Sequence, residues 1–256
     1  MGMGRVKSRR IADLMKILIL GGTAEARELA NRLVNTGHDV TTSLAGRTQD
    51  PILPRGGLRM GKFGGIPGLA AYLRIAGIER LVDATHPYAG QISVNAVAAA
   101  QAVNVPLLRY MRPAWEQQVG DGWITVGTAA EAASALPPNA DVLLTTGHTG
   151  LQHFLARDDC RFVVRTIEAP AEDLPRHASL LQTRPPYGLI DEMALMEREG
   201  ITHLVTKNSG GKQTAPKLEA ARRLGVKVIM IARPIYGPAN EVASVDDAIA
   251  ALGLAG

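Results

Sequence analysis

One cysteine, Cys160, stands in a chain of 256 residues. A single thiol builds neither an internal disulfide framework nor a protein-held iron–sulfur cluster, and without a CxxC partner Cys160 reads as a small apolar filler. Aromatic residues make up 4% of the chain and no Arg/Lys run is interleaved with them, which weighs against nucleic-acid binding by base stacking. Every uninterrupted apolar stretch falls short of the ~20 residues that span a bilayer. The opening MGMGRVKSRRIADLM lacks the apolar centre of a secretory signal. We read residues 1–15 as a disordered basic extension ahead of a fold that begins near Lys16, with the cytoplasm as the default location. His148 and His153 are five apart, where a helical metal pair needs i, i+4, and no second ligand cluster joins them, so no metal site is expected. No G-x-S-x-G elbow is present.

What the chain does have is 46% hydrophobic residues and a net charge of +4, enough apolar material for a sizeable core and a basic balance suited to a small polyanion. Short aliphatic runs alternate with alanine-rich helical patterns, the signature of βαβ units and parallel sheets. Strands are expected at 16–20, 38–44, 57–61, 80–85 and 105–110, with helices at 24–36, 67–76 and 89–103 between them. Residues 111–127, with Pro113, Gly120 and Gly122, break the rhythm, and a domain junction is placed there. Strands then return at 123–126, 141–146, 161–168, 203–207 and 226–232, with helices near 128–136, 188–199 and 215–224. The expected fold is α/β: two Rossmann-like domains, 16–112 and 113–256, whose mainly parallel sheets face an interdomain cleft. Ligands of open α/β sheets bind at the carboxyl ends of the strands.

Four strand ends carry unusual residues. After KILIL, Gly21 and Gly22 allow a tight turn and close approach to a ligand, and Thr23 can cap the following helix while offering its hydroxyl to a phosphate. A plain βα corner is the alternative, and Glu25 in the first helical turn suits the helix dipole better than a pyrophosphate. Where NAD-selective sites place an acidic residue, the next strand end holds Ser43 and Arg47, a hydroxyl and a guanidinium that favour the 2′-phosphate of NADPH. DATHPYA ends a third strand, with His86 held out of the helix by Pro87 and Tyr88 beside it, able to donate a proton or pack on a ring. Asp83 is expected in local hydrogen bonds. In VTKNSGG, Lys207, Asn208, Ser209 and Gly210 crowd a loop before a helix, a dense set of donors for an anion. Arg165 lies within an apolar strand and needs an ion-pair partner or a ligand there. The ion pair is the first expectation.

Taken in order, ILGGTAEARELA, SLAGRT, KFGGIPGLAAYL, DATHPYA, VPLLRYMRPAW, TTGHTGLQHF, RFVVRTIE and LVTKNSGG resemble the precorrin-6A reductases of cobalamin biosynthesis over residues 16 to about 235. Gly90 stands where that family often has alanine after DATHPYA. The resemblance implies an NADPH-dependent reductase that delivers hydride to the precorrin-6A macrocycle and yields precorrin-6B. From the strand-end residues, the pyrophosphate is expected near Gly21, Gly22 and Thr23, the 2′-phosphate near Ser43 and Arg47, and the nicotinamide toward Thr85, His86 and Tyr88. The carboxylates of the tetrapyrrole would meet Tyr88, Arg165, Lys207, Asn208, Ser209 and Gly210, and His86, Tyr88, Lys207 or water would supply the proton. Two other readings stay open: an NADPH-dependent dehydrogenase of another anionic substrate, and a non-catalytic nucleotide sensor, which would not need the TKNSGG loop.

Overall fold

Strand β1 (Lys16–Leu20) is buried along its aliphatic length, with Ile17, Leu18 and Ile19 at 0% exposure. A run without polar alternation is what a parallel strand covered by helices on both faces requires. The computed structural model describes residues 14–46, 51–171 and 173–253. Most of the basic 1–15 segment, and Arg47, lie outside the described residues. From β1 the chain alternates through α1 (Ala24–Asn35), β2 (Asp39–Leu44), β3 (Gly57–Met60), α2 (Gly65–Ile75), β4 (Arg80–Asp83), α3 (Gly90–Ala102) and β5 (Leu107–Tyr110). Helix α1 buries Ala26, Leu29, Ala30 and Leu33, the i, i+3, i+4, i+7 stripe of an amphipathic helix on a sheet. These residues pack with Ile17 and Ile19, whereas Leu18 and Leu20 face Leu69, Leu73, Ala96 and Ala99 on the other side.

The chain continues through β6 (Trp123–Val126), α4 (Ala129–Ser134), β7 (Asp141–Leu144), α5 (Leu151–Leu155), β8 (Arg161–Thr166), β9 (Ala178–Gln182), α6 (Leu189–Arg198) and β10 (His203–Lys207). A 3₁₀ turn (Lys212–Thr214) leads into α7 (Pro216–Leu224) and β11 (Lys227–Ile231), and the chain ends in β12 (Asn240–Val242) and α8 (Val245–Ala251). The strands form two sheets, ordered β12-β5-β4-β1-β2-β3 and β6-β11-β10-β7-β8-β9. Every pairing is parallel. Both sheets have the 3-2-1-4-5-6 order of the doubly wound dinucleotide fold. The sixth strands are exchanged in sequence: β6 follows β5 in the chain but joins β11, and β12 follows β11 but joins β5. The expected two-domain α/β class is therefore the observed one.

The boundaries differ from expectation at the C-terminus. One unit comprises Met1–Met111 with Tyr236–Gly256, and the other Arg112–Ile235. Residues 236–253 complete the first sheet rather than the second, because Asn240 and Val242 pair with Leu108 and Tyr110, and Val245, Ala248 and Leu252 enter the cluster beneath α1. Strands β9 and β12 were not expected; ASLLQ and NEV are short, largely exposed edge segments without an aliphatic run. Among the described residues no helix is long and apolar enough to cross a membrane, and no cluster of His, Cys, Asp and Glu could hold a metal ion. Leu252 is 4% exposed, so Leu252→Ala is expected to lower the unfolding free energy by about 2 kcal/mol in guanidinium titration; an unchanged midpoint would mean that the C-terminal return does not cover this core.

Candidate active site

The parallel register sets Leu20 beside Ser43 on one side and Asp83 on the other, so the loops after β1, β2 and β4 emerge at one end of the first sheet. A Cβ on Gly21 would lie 2.8 Å from Thr42 Cγ2, and Gly22 has φ +111° with open space around it. Glycine is needed at both positions, one for contact and the other for conformation. The Gly21 N–H donates to the Ser43 carbonyl at 2.9 Å, which ties the turn to β2. Thr23 caps α1 by accepting from Ala26 N–H at 3.0 Å, and its hydroxyl donates to the Ala84 carbonyl at 3.0 Å. That hydroxyl has a single proton: the expected cap is present, and in the structure the proton is engaged at the end of β4. The bare backbone at Gly22 and the first-turn N–H groups of α1 are what fit a pyrophosphate.

Ser43 is 6% exposed, and its Oγ lies 3.4 Å from Arg59 Nη1 of the adjacent strand. In DATHPYA, the buried Asp83 accepts from the Thr85 hydroxyl at 2.7 Å and the Thr85 N–H at 3.3 Å, while its other oxygen lies 3.6 Å from Arg109 Nε. Thr85 is thus engaged through its side chain in the local hydrogen bonding expected of Asp83. His86 is exposed, and its Nδ1 accepts from the Tyr88 N–H at 3.3 Å. In a neutral ring that arrangement puts the proton on Nε2, as a donor. The His86 and Tyr88 rings are 5.8 Å apart, so these two candidate residues do come together. Tyr236 donates its hydroxyl to the Pro87 carbonyl at 2.5 Å. A Cβ on Gly90 would lie 3.6 Å from the Tyr236 ring, an ordinary contact that leaves room for the alanine often found in the family.

The second unit treats its glycine loop differently. Lys207 ends β10 half-buried, in register with Ile231. Asn208 accepts the Trp115 N–H at 2.7 Å and donates to the Trp115 carbonyl at 2.9 Å. The Ser209 carbonyl accepts from Arg112 Nε, and Arg233 donates to the carbonyls of Asn208, Arg112 and Pro113. A Cβ on Gly210 would stand 1.8 Å from the Pro113 carbonyl oxygen. Of the groups that suggested an anion site, the Asn208 amide is therefore engaged with Trp115, and the carbonyls of Asn208 and Ser209 accept from Arg233 and Arg112. Arg165 takes the ion-pair alternative: it is buried, Nη1 is 2.6 Å from Glu192 Oε1, and its guanidinium stacks 4.1 Å from the Tyr187 ring.

Residues 16–253 match the family model described as precorrin-6x reductase CbiJ/CobK. The chain is 44% identical over 245 residues to a precorrin-6A reductase of Rhodococcus erythropolis, covering 95% of this chain and 98% of that protein. A precorrin-6A reductase of Mycobacterium tuberculosis is 44% identical over 236 residues, covering 91% and 94%. A solved structure of CobK precorrin-6A reductase superposes with a TM-score of 0.89 at 38% identity, over 94% of this chain and 96% of that one. The chain belongs to the precorrin-6x reductase family.

One buried group of this reductase-family chain escapes a reading of the sequence. Lys217, in the first turn of α7, is 4% exposed and donates to Thr145 Oγ1 at 3.3 Å beside the Trp115 ring. The signal was its place on the buried face of PKLEAARRL, four residues before Ala221. Burial chiefly lowers its pKa, to about 7; Arg165 pushes the same way and Glu192 opposes them. The folded value lies below the unfolded one near 10, so above pH 7 the folded chain holds fewer protons and stability rises with pH. The rise is expected at up to about 1.4 kcal/mol per unit between pH 7 and roughly pH 10. Lys217→Met should flatten that slope and stabilise the chain at pH 7 in guanidinium unfolding; an unaltered slope would assign the titration to another group.

Proposed function

We propose that the chain reduces precorrin-6A to precorrin-6B with NADPH as hydride donor. The carrying observation is the family match across residues 16–253, supported by 44% identity to precorrin-6A reductases over nearly the full length of both chains. A first sheet ordered 3-2-1-4-5-6, with a glycine turn opening onto α1, supports a dinucleotide site at its carboxyl ends. In this reading the backbone of Gly21, Gly22 and Thr23 holds the pyrophosphate, Ser43 and Arg47 meet the 2′-phosphate, and Thr85 and His86 border the nicotinamide. NADPH, when bound, supplies the hydride. Tyr88 in the first unit, and Lys207 with the peptide groups of Asn208, Ser209 and Gly210 in the second, are each candidate contacts of the macrocycle and its carboxylates. Arg165 contributes through the packing of Tyr187 and Glu192.

Saturating one double bond takes a hydride and a proton. The Nε2–H of His86 is set as a donor by the Tyr88 amide at its Nδ1, and the Tyr88 hydroxyl and the Lys207 ammonium are the other candidates. A positioned acid contributes on the order of 10²–10⁴ in rate. Purified protein with NADPH and precorrin-6A should lose absorbance at 340 nm, faster than with NADH; no loss would sink the assignment. Among His86→Gln, Tyr88→Phe and Lys207→Met, the variant whose kcat falls by about a hundredfold or more while NADPH binding persists identifies the donor.

A further inference from the structure

Strands β2 and β3 pair in parallel with Ser43 opposite Arg59, and paired residues of neighbouring strands show their side chains on the same face. Arg59 Nη1 lies 3.4 Å from Ser43 Oγ and donates to the Gly61 carbonyl at 2.6 Å, while Nη2 donates to the Lys62 carbonyl at 2.8 Å. The guanidinium carbon sits 3.7 Å from the centre of the Phe63 ring and 5.5 Å from that of Tyr72, two rings in edge contact. Side chain and charge are therefore fixed in place before any ligand arrives. Among the described residues no carboxylate forms an ion pair with Arg59, and the three bonds leave Nε–H and one Nη2–H unengaged. A preorganised guanidinium with two donors to spare matches a phosphate dianion better than a ribose hydroxyl.

The place decides which phosphate. In a 3-2-1-4-5-6 sheet the end of the second strand faces the adenine ribose, and β2 ends in Thr42, Ser43 and Leu44 with no carboxylate to accept from a 2′-hydroxyl. We infer that Arg59, seated against Ser43, joins Ser43 and Arg47 in binding the 2′-phosphate and so selects NADPH over NADH. The inference rests on the NADPH dependence proposed above and adds a residue two strands from the glycine turn.

Calorimetric titration with 2′,5′-ADP and 5′-AMP, which differ only in the 2′-phosphate, tests it without turnover. The unaltered protein should favour 2′,5′-ADP. Arg59→Ala should weaken 2′,5′-ADP roughly ten- to hundredfold, the range for a charged hydrogen-bond pair, and leave 5′-AMP within about twofold, while Arg59→Lys should recover part of the loss. Arg59→Gln, which keeps an amide donor for the Gly61 and Lys62 carbonyls, carries the same test should the alanine variant unfold. Equal losses for both probes would make Arg59 a clamp on the β3–α2 turn and overturn the assignment, as would no loss at all. Equal affinity of the unaltered protein for the two probes would remove the NADPH reading itself, and the role of Arg59 with it.

Discussion

A single buried cation organises the first unit. Arg109, on β5, is 1% exposed, and a charge withdrawn that far from water costs several kcal/mol unless opposite charge and acceptors surround it. Asp83 supplies one carboxylate from β4, and Glu241, at 2.9 Å, supplies another from β12. The Gly237 carbonyl accepts at 3.0 Å and the Tyr236 ring lies 5.3 Å away. Three of these four partners come from the C-terminal segment, so that segment must return to the first sheet for Arg109 to be tolerated. The same contacts shape DATHPYA from both sides. Asp83 holds Thr85, and Tyr236 holds the Pro87 carbonyl, leaving His86 and Tyr88 presented at the end of β4.

The two sheets have one strand order and differently engaged glycine loops. After β1 the glycines leave backbone exposed at the start of a twelve-residue helix, where N–H groups converge without intrahelical partners. After β10 the Asn208 amide and the carbonyls of Asn208 and Ser209 are engaged with residues 112–115 and their two arginines. Gly210 is required because the Pro113 carbonyl occupies the space a side chain would need. A strand followed by a glycine-rich turn therefore marks a close backbone approach, and in the second unit what approaches is the chain itself.

The legible parts of the fold were those whose signal is repeated along many residues. KILIL, DVLL and HLVTK are continuous aliphatic runs because both faces of a central parallel strand are covered, and α1 shows a full stripe of buried positions. Edge strands such as NEV carry three residues, two exposed and one half-buried, and nothing periodic sets them apart. In the site, the glycine turn, Ser43 and the His86–Tyr88 pair were readable as residue types at strand ends. Arg165 was readable as a charge in need of a partner, but Glu192, 27 residues later on helix α6, was not identifiable as that partner. Arg59 stands on a short strand, and only the register with β2 places it beside Ser43.

By itself the sequence determined the α/β class, the alternation of strands and helices, the glycine positions and the family motifs, because these depend on local pattern and on backbone conformations that few residues tolerate. Only the tertiary structure decided which sheet receives the last strand, which polar groups of the TKNSGG loop are already engaged, and which arginines face counter-charges. Those outcomes turn on contacts between residues far apart in the chain: Arg109 with Glu241, Asn208 with Trp115, and Arg59 with Ser43. The energy of a buried or paired charge is set by its neighbours in space, and a linear order of residues does not name them.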